Sequence, residues 1–164
     1  IVINNIHILL ECGWNTRFDP EYLAPLLEYV PRISVVLISH AKFATMGGLA
    51  WLVTQPNFKG QVYSTYPIVK MAQPVLFDAY MSRSNYENLT TVTIDDIHAA
   101  CEKIKPLKFS QKVRTYDIEI TPYRAGHTVG GSAWKITHDL QDIKSQVGKL
   151  QHDRDCCAPC PLIP

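Results

Sequence analysis

Ile33-Ser34-Val35-Val36-Leu37-Ile38-Ser39-His40 is the stretch that decides the fold. Through Ile38 it is almost wholly apolar and rich in β-branched side chains, which suits a central strand covered on both faces. Such a strand needs a helical layer on one side and a further layer on the other. It ends abruptly on a serine and a histidine. After a short loop, Gly47-Gly48 and an apolar run through Trp51 and Val53 read as a helix. Before the strand, Asp19-Pro20-Glu21 carries a helix-start signal: a capping side chain, a proline in the first turn and an early acid. Leu23, Leu26, Leu27 and Val30 follow at helical spacing. Pro25 fits that helix poorly, because it removes a backbone donor and should bend or delay it. Further back, Ile1 to Leu10 is apolar and interrupted by the turn-favouring Asn4-Asn5, so it reads as one or two strands of a hairpin.

Downstream, Val62 to Thr65 is a second short strand, and Pro67 opens a long helix to about Arg83 that Pro74 should kink. Thr93-Ile94-Asp95-Asp96 starts another helix, with Ile97, Cys101 and Ile104 at helical spacing and Pro106 closing it. Lys112 to Thr121 alternates as a strand does, around a turn at Tyr116-Asp117. Gly126 to Gly131 is a tight loop, and Ala133-Trp134-Lys135-Ile136 begins a further strand. Strands and helices that alternate across short loops predict an α/β fold. From His138 the composition turns polar and ends in Cys156-Cys157-Ala158-Pro159-Cys160-Pro161, so residues 138–164 are expected to form a divergent, poorly ordered tail.

Composition narrows the classes. The 164 residues suffice for one domain with a real core. Charged residues make up 19%, below the roughly 25% of an average domain. The net charge of +1 creates no chain-wide basic field, so any nucleic-acid contact needs a local patch. Cys12 and Cys101 sit inside apolar patterns as reduced thiols. With no signal peptide or bilayer-length apolar run, a reducing compartment is expected. Ile1 lies within an apolar run, so the chain reads as a piece of something longer.

Ligands of α/β sheets gather at the carboxyl ends of strands. His40 follows the central strand, and His127 lies in Ala125-Gly126-His127-Thr128-Val129-Gly130-Gly131 before another strand. A lone histidine is usually structural; two in equivalent positions, each followed by glycines, ask for more. Leu9-Leu10-Glu11-Cys12-Gly13, Val36-Leu37-Ile38-Ser39-His40, Gly47-Gly48 and Ala125-Gly126-His127 resemble the metallo-β-lactamase superfamily. Val62-Tyr63-Ser64-Thr65, Pro67-Ile68-Val69-Lys70-Met71, Asp78-Ala79-Tyr80-Met81-Ser82-Arg83 and Leu107-Lys108-Phe109-Ser110-Gln111 narrow the likeness. They point to the RNA-processing branch that carries an inserted β-CASP domain, and Cys12-Gly13-Trp14 to the inactive relatives of its pre-mRNA 3′-end endonuclease. The likeness covers about residues 1–137.

The resemblance implies the amino-terminal part of an αββα sandwich, residues 1–137 forming a partial metallo-β-lactamase-like domain with no β-CASP segment in this chain. Half a sandwich is expected to leave a sheet edge and an apolar face uncovered. The superfamily's metal signature, H-x-H-x-D-H, aligns with His40-Ala41-Lys42-Phe43-Ala44-Thr45. Only His40 keeps a ligand. Lys42 is a cation, Ala44 has no donor atom, and Thr45 offers a neutral hydroxyl, a poor zinc ligand. Glu11 stands where the family has aspartate. His40 and His127 are therefore expected to be vestigial, with no cofactor, zinc included, and no catalytic residue.

The resemblance further implies a nuclear, non-catalytic subunit of the complex that cleaves and polyadenylates pre-mRNA 3′ ends. Its partners would be the active endonuclease and the other subunits of the cleavage and polyadenylation specificity factor, with pre-mRNA as a further contact and no membrane. The alternative is a metal-dependent hydrolase or RNA nuclease with an unconventional site. Lys103, Lys105, Lys108, Lys112 and Arg114, with Phe109 among them, could touch RNA backbone, although a solvated surface is the commoner meaning of such a run. His152, Cys156 and Cys160, beside Cys157, could in principle ligate zinc, but their spacing is unlike a zinc knuckle.

Overall fold

The computed structural model describes residues 1–84 and 91–138, and the backbone of 141–145. The hairpin is present: β1 (Val2–Ile3) and β2 (Ile6–Leu10) pair antiparallel, and Asn4 and Asn5 both turn through positive φ. α1 (Pro20–Leu27) starts where Asp19 accepts a hydrogen bond from Glu21 N at 3.1 Å, and it contains Pro25. β3 (Ile33–Leu37) follows a 3₁₀ turn, Val30–Arg32. The stretch after His40, expected to be a loop, contains a single helical turn, α2 (Phe43–Met46), before α3 (Leu49–Thr54). β4 (Gln61–Thr65) then leads into α4 (Tyr66–Ser84), one helix through Pro74. α5 (Ile94–Lys103) is opened by a capping box between Thr93 and Asp96.

Ile104, expected inside that last helix, instead begins β5 (Ile104–Leu107), and Pro106 lies within this strand. The strand is an edge, where a missing N–H is tolerated. Helical spacing through Ile104 was misleading because its buried side chain serves the strand as well as it would have served a fourth helical turn.

β1 to β5 form one sheet in sequence order, parallel after the first pair, with β3 at its centre. β6 (Val113–Thr115), β7 (Ile118–Arg124), β8 (Ser132–His138) and β9 (Gln141–Ser145) form a second, antiparallel sheet. β3 shows why its sequence is almost wholly apolar. Val36 and Ile38 pack under the helices with Leu49, Leu52, Ile68 and Ile97, whereas Val35 and Leu37 pack against Ile118, Ile120, Trp134 and Ile136 of the second sheet. The α/β class and the layering of helices, sheet and sheet follow from that one strand.

The expected tail begins with a strand: β8 ends on His138 and β9 pairs with β8, Ile136 opposite Ile143. The remainder of the tail, with His152 and its three neighbouring cysteines, lies outside the described residues. Of the positions of β7 and β8 that alternate with its core residues, Glu119, Tyr123, Lys135 and Thr137 are polar side chains open to water in part or whole, whereas Thr121 is buried. No helix among the described residues is long and apolar enough to cross a membrane.

Candidate functional site

The site forms where β3 runs out. Ile38 N still reaches Tyr63 O at 3.0 Å, and Ser64 Oγ donates to Ile38 O at 2.9 Å, so the strand's exit is fixed by its neighbour β4. The two sheets are stitched at this end: Ser132 N donates to Ser39 O at 3.0 Å, and Thr65 Oγ1 donates to Gly130 O at 2.6 Å. Those bonds bring the β7–β8 loop over the end of β3. His40 and His127, 87 positions apart in the numbering, meet with ring centroids 5.8 Å apart and planes nearly perpendicular.

Beneath them runs a polar chain. Glu11, which leaves β2 at a φ of 61°, accepts from Ser39 N at 3.0 Å and from Ser39 Oγ. Ser39 Oγ in turn lies 2.5 Å from His40 Nδ1. A hydroxyl has one proton, so when Ser39 donates to the carboxylate, His40 must supply Nδ1–H to Ser39 and keep Nε2 as its unprotonated nitrogen. Burial raises the Glu11 carboxyl to about 7, against the smaller lowering effect of the Ser39 hydrogen bonds, and its second oxygen, Oε2, is buried without a hydrogen-bond partner. Burial also lowers the His40 imidazole, aided by the Lys42 ammonium and by His127. The neighbouring Cys12 thiol is pushed up to about 12 by burial and by the Glu11 charge, so at neutral pH it stays a protonated thiol.

The positions aligned with the metal signature make other contacts or face solvent. Thr45 Oγ1 lies 2.7 Å from His40 O and 2.9 Å from Lys42 O, so its only proton serves backbone carbonyls. Lys42 and Ala44 are exposed at the start of α2. That turn is clamped to the segment after β2: Cys12 N donates to Thr45 O at 2.8 Å, and Gly48 N to Cys12 O at 2.9 Å. The approach is so close that a Cβ on Gly13 would stand 1.8 Å from Ala44 O. A dinuclear zinc centre does not fit these residues. One ligand position holds a cation, one a methyl group and one a hydroxyl already committed, and Glu11, the carboxyl at this site among the described residues, has one oxygen on Ser39 and the other buried without a hydrogen bond. Among the described residues no three His, Cys, Asp or Glu side chains come together as a metal would require.

Sequence reasoning brought His40, His127, Glu11 and the altered signature to one place. It missed Ser39, which links Glu11 to His40; the only signal was its position beside the histidine. Of the basic cluster, Lys105 is exposed on β5, Lys108 is exposed beyond it, and Arg114 lies on β6. Lys103 sits over the Phe58 ring at 5.8 Å and Lys112 pairs with Glu119 at 3.1 Å. Phe109 is covered by Arg124, 5.4 Å from its centroid, a cation the linear run did not include.

Comparison with known proteins agrees with this architecture. The chain is 38% identical over 138 residues to the probable cleavage and polyadenylation specificity factor subunit 2 of Drosophila melanogaster, covering 82% of this chain and 18% of that protein. It is 35% identical over 147 residues to cleavage and polyadenylation specificity factor subunit 2 of Oryza sativa subsp. japonica, covering 87% of this chain and 20% of that one. The chain thus spans about a fifth of the length of these curated relatives. Among solved structures it is similar in fold to MEM-A1, a subclass B3 metallo-beta-lactamase from a soil metagenome library, with a TM-score of 0.54 and 20% identity over 87% of this chain and 52% of that one. The family model described as the metallo-beta-lactamase superfamily domain matches residues 1–156, and the chain belongs to that superfamily.

Proposed function

We propose that the chain is part of a non-catalytic subunit of the nuclear machinery that cleaves and polyadenylates pre-mRNA. In this reading it is a scaffold and partner for an active endonuclease subunit, which brings the zinc and the chemistry. The observation that carries the reading is the strand-end site itself. Lys42, Ala44 and Thr45 stand where a binuclear hydrolase needs donor atoms, and the Thr45 hydroxyl is bonded to backbone instead. Relatives named as subunits of the cleavage and polyadenylation specificity factor supply the process. Contact with pre-mRNA would fall on the exposed Lys105 and Lys108 rather than on Lys112, whose charge is already paired.

The test uses the full-length protein that contains this chain. Purified alone, it should hold zinc well below one ion per molecule and leave a pre-mRNA substrate uncut. Combined with the endonuclease subunit, the complex should still cleave when His40 and His127 are both changed to alanine. Tight stoichiometric zinc, with RNA cleavage by the protein alone that vanishes in His40→Ala, would instead establish the metal-dependent nuclease.

A further inference from the structure

The net charge of +1 conceals an uneven distribution. Residues 103–124 hold six of the chain's sixteen Lys and Arg but only two of its fifteen Asp and Glu. One of those two acids, Glu119, is taken by Lys112 at 3.1 Å. Lys105, Lys108 and Arg124 are exposed, and among the described residues none of them pairs with a carboxylate. The positive charge therefore gathers where the chain crosses from β5 to the second sheet. The turn at that crossing is fixed. Ser110 adopts a φ of 62°, Gln111 N donates to Lys108 O at 3.1 Å, and Lys108 N donates to Gln111 Oε1 at 2.9 Å. Ser110 N also donates to Pro122 O at 2.8 Å, which pins the turn to β7 two residues before Arg124. Phe109 is thereby held against the Arg124 guanidinium, whose Cζ lies over the ring at 5.4 Å from its centroid.

We propose that the Arg124–Phe109 pair is a stacking platform for a base of single-stranded RNA, with Lys108 taking a flanking phosphate. The inference deepens the function proposed above and rests on it for the choice of RNA. A guanidinium is planar, carries five N–H donors and no acceptor, and stacks on π-systems. Among the described residues Arg124 makes no hydrogen bond, so its contact is the ring and its donors remain open to a ligand. Charge alone would suit any polyanion. The planar pair selects among them, because an unpaired base has a π-face to lay on it and an acidic peptide chain has none. A duplex is a poorer fit, since its bases are already stacked on one another. Lys108 is next in the chain to Phe109, which places a cation beside the stacked base. Lys105, three residues further back and roughly 10 Å away at the rise of a strand, continues the positive edge. The bonds of the turn exist without a ligand, so binding does not have to order it.

The test is fluorescence anisotropy of a dye-labelled oligoadenylate titrated with the full-length protein that contains this chain. Arg124→Lys keeps the charge and loses the planar fork; Phe109→Leu keeps an apolar side chain and loses the ring. Each should weaken binding at least about fivefold, the lower end for stacking one base, and leave the salt dependence unchanged. Lys108→Gln should weaken binding as well, and should flatten the slope of log affinity against log salt by about 0.7, the share of one phosphate contact on a single strand. Lys108 and Arg124 are exposed, so their variants should fold, and thermal melting checks all three. Polyglutamate, which has charge and no bases, is the second probe, and Arg124→Lys and Phe109→Leu should leave its binding as in the parent. Arg124→Lys and Phe109→Leu variants that bind oligoadenylate as the parent does overturn the inference. Equal losses for oligoadenylate and polyglutamate also overturn it, and assign the patch to an acidic protein segment. The RNA recovered from each titration is then checked for length. Intact RNA with unaffected variants removes the inference alone, whereas RNA cut by the parent overturns the non-catalytic reading and leaves the platform to be decided by the variants.

Discussion

Glu11 shows how burial at the strand-end site changes the chemistry of one residue. Its carboxyl is raised from 4.5 to about 7, mainly by burial. The folded state therefore holds the proton more tightly than the unfolded chain does. The resulting stabilisation is fully present below pH 4.5, is lost as pH rises towards 7, and is gone above it. The full shift corresponds to roughly 3 kcal/mol as an upper limit, since part of the group remains hydrated. Glu11→Gln keeps an oxygen to accept from Ser39 and has no proton to lose. In urea denaturation it should match the parent near pH 4.5 and exceed it by about 1–3 kcal/mol at pH 8; an equal difference at both pH values would show that Glu11 titrates normally. Gly13 is constrained by sterics instead. A methyl there would stand 1.8 Å from the Ala44 carbonyl, and backbone on both sides cannot swing aside. Gly13→Ala should destabilise the fold by at least about 2 kcal/mol, at the upper part of the overpacking range, as read from the same denaturation curves. That Lys42, Ala44 and Thr45 differ from the residue types of the metal signature is legible in the sequence, because identity alone decides whether an atom can donate. It did not reveal the bond from Glu11 through Ser39 to His40, because that depends on a positive φ at Glu11 which no residue type announces.

At the scale of elements, the signals that worked were local and physical. The apolar β3, the Asp19 and Thr93 caps and the Asn4-Asn5 turn each specify their own backbone, and each appears where the sequence places it. The signals that failed were those settled by neighbours. β5 exists because β4 offers it hydrogen bonds, and β9 because β8 does; neither has enough alternation of its own to be seen. α4 is the intermediate case: its extent was legible, and Pro74 does not end it. Eight residues precede that proline in the helix and ten follow it, from Tyr66 to Ser84. Buried Ile68, Ala72 and Leu76 straddle it and anchor both halves to the sheet. Packing thus outweighs the propensity penalty of roughly 3 kcal/mol for an interior proline. Pro74 itself is exposed, so an alanine there would fill no space that matters. Pro74→Ala should restore a backbone donor and stabilise the chain by about 2 kcal/mol, after roughly 0.4–1 kcal/mol is returned to the unfolded state as added entropy. Loss of stability in this variant would mean that the proline sets a bend on which α4 packing depends.

The molecule as a whole has two sheets, and its chain passes from the edge of one to the edge of the other between Leu107 and Val113. Unpaired edges invite pairing with a second copy, and the usual defences are charge, proline and shortness. β5 has all of them: it is four residues long, and its exposed residues are Lys105 and Pro106. β6 spans only Val113–Thr115 and carries the exposed Arg114. The basic run between them therefore has a structural use that is independent of RNA, and the two uses respond differently to salt. Charge repulsion fades once the Debye length, about 8 Å at physiological ionic strength, shrinks below the spacing of the groups, whereas the missing N–H of Pro106 is indifferent to salt. Sedimentation velocity separates the contributions. Lys105→Thr should leave the chain as associated or unassociated as its parent at high salt, because the proline still blocks the ladder. Lys105→Thr combined with Pro106→Val restores a continuous, uncharged β-branched edge and should self-associate with concentration at every ionic strength. If the double variant sediments as the parent does across that range, β5 is not guarded by these residues, and the basic run is left with contact to a polyanion as its physical role.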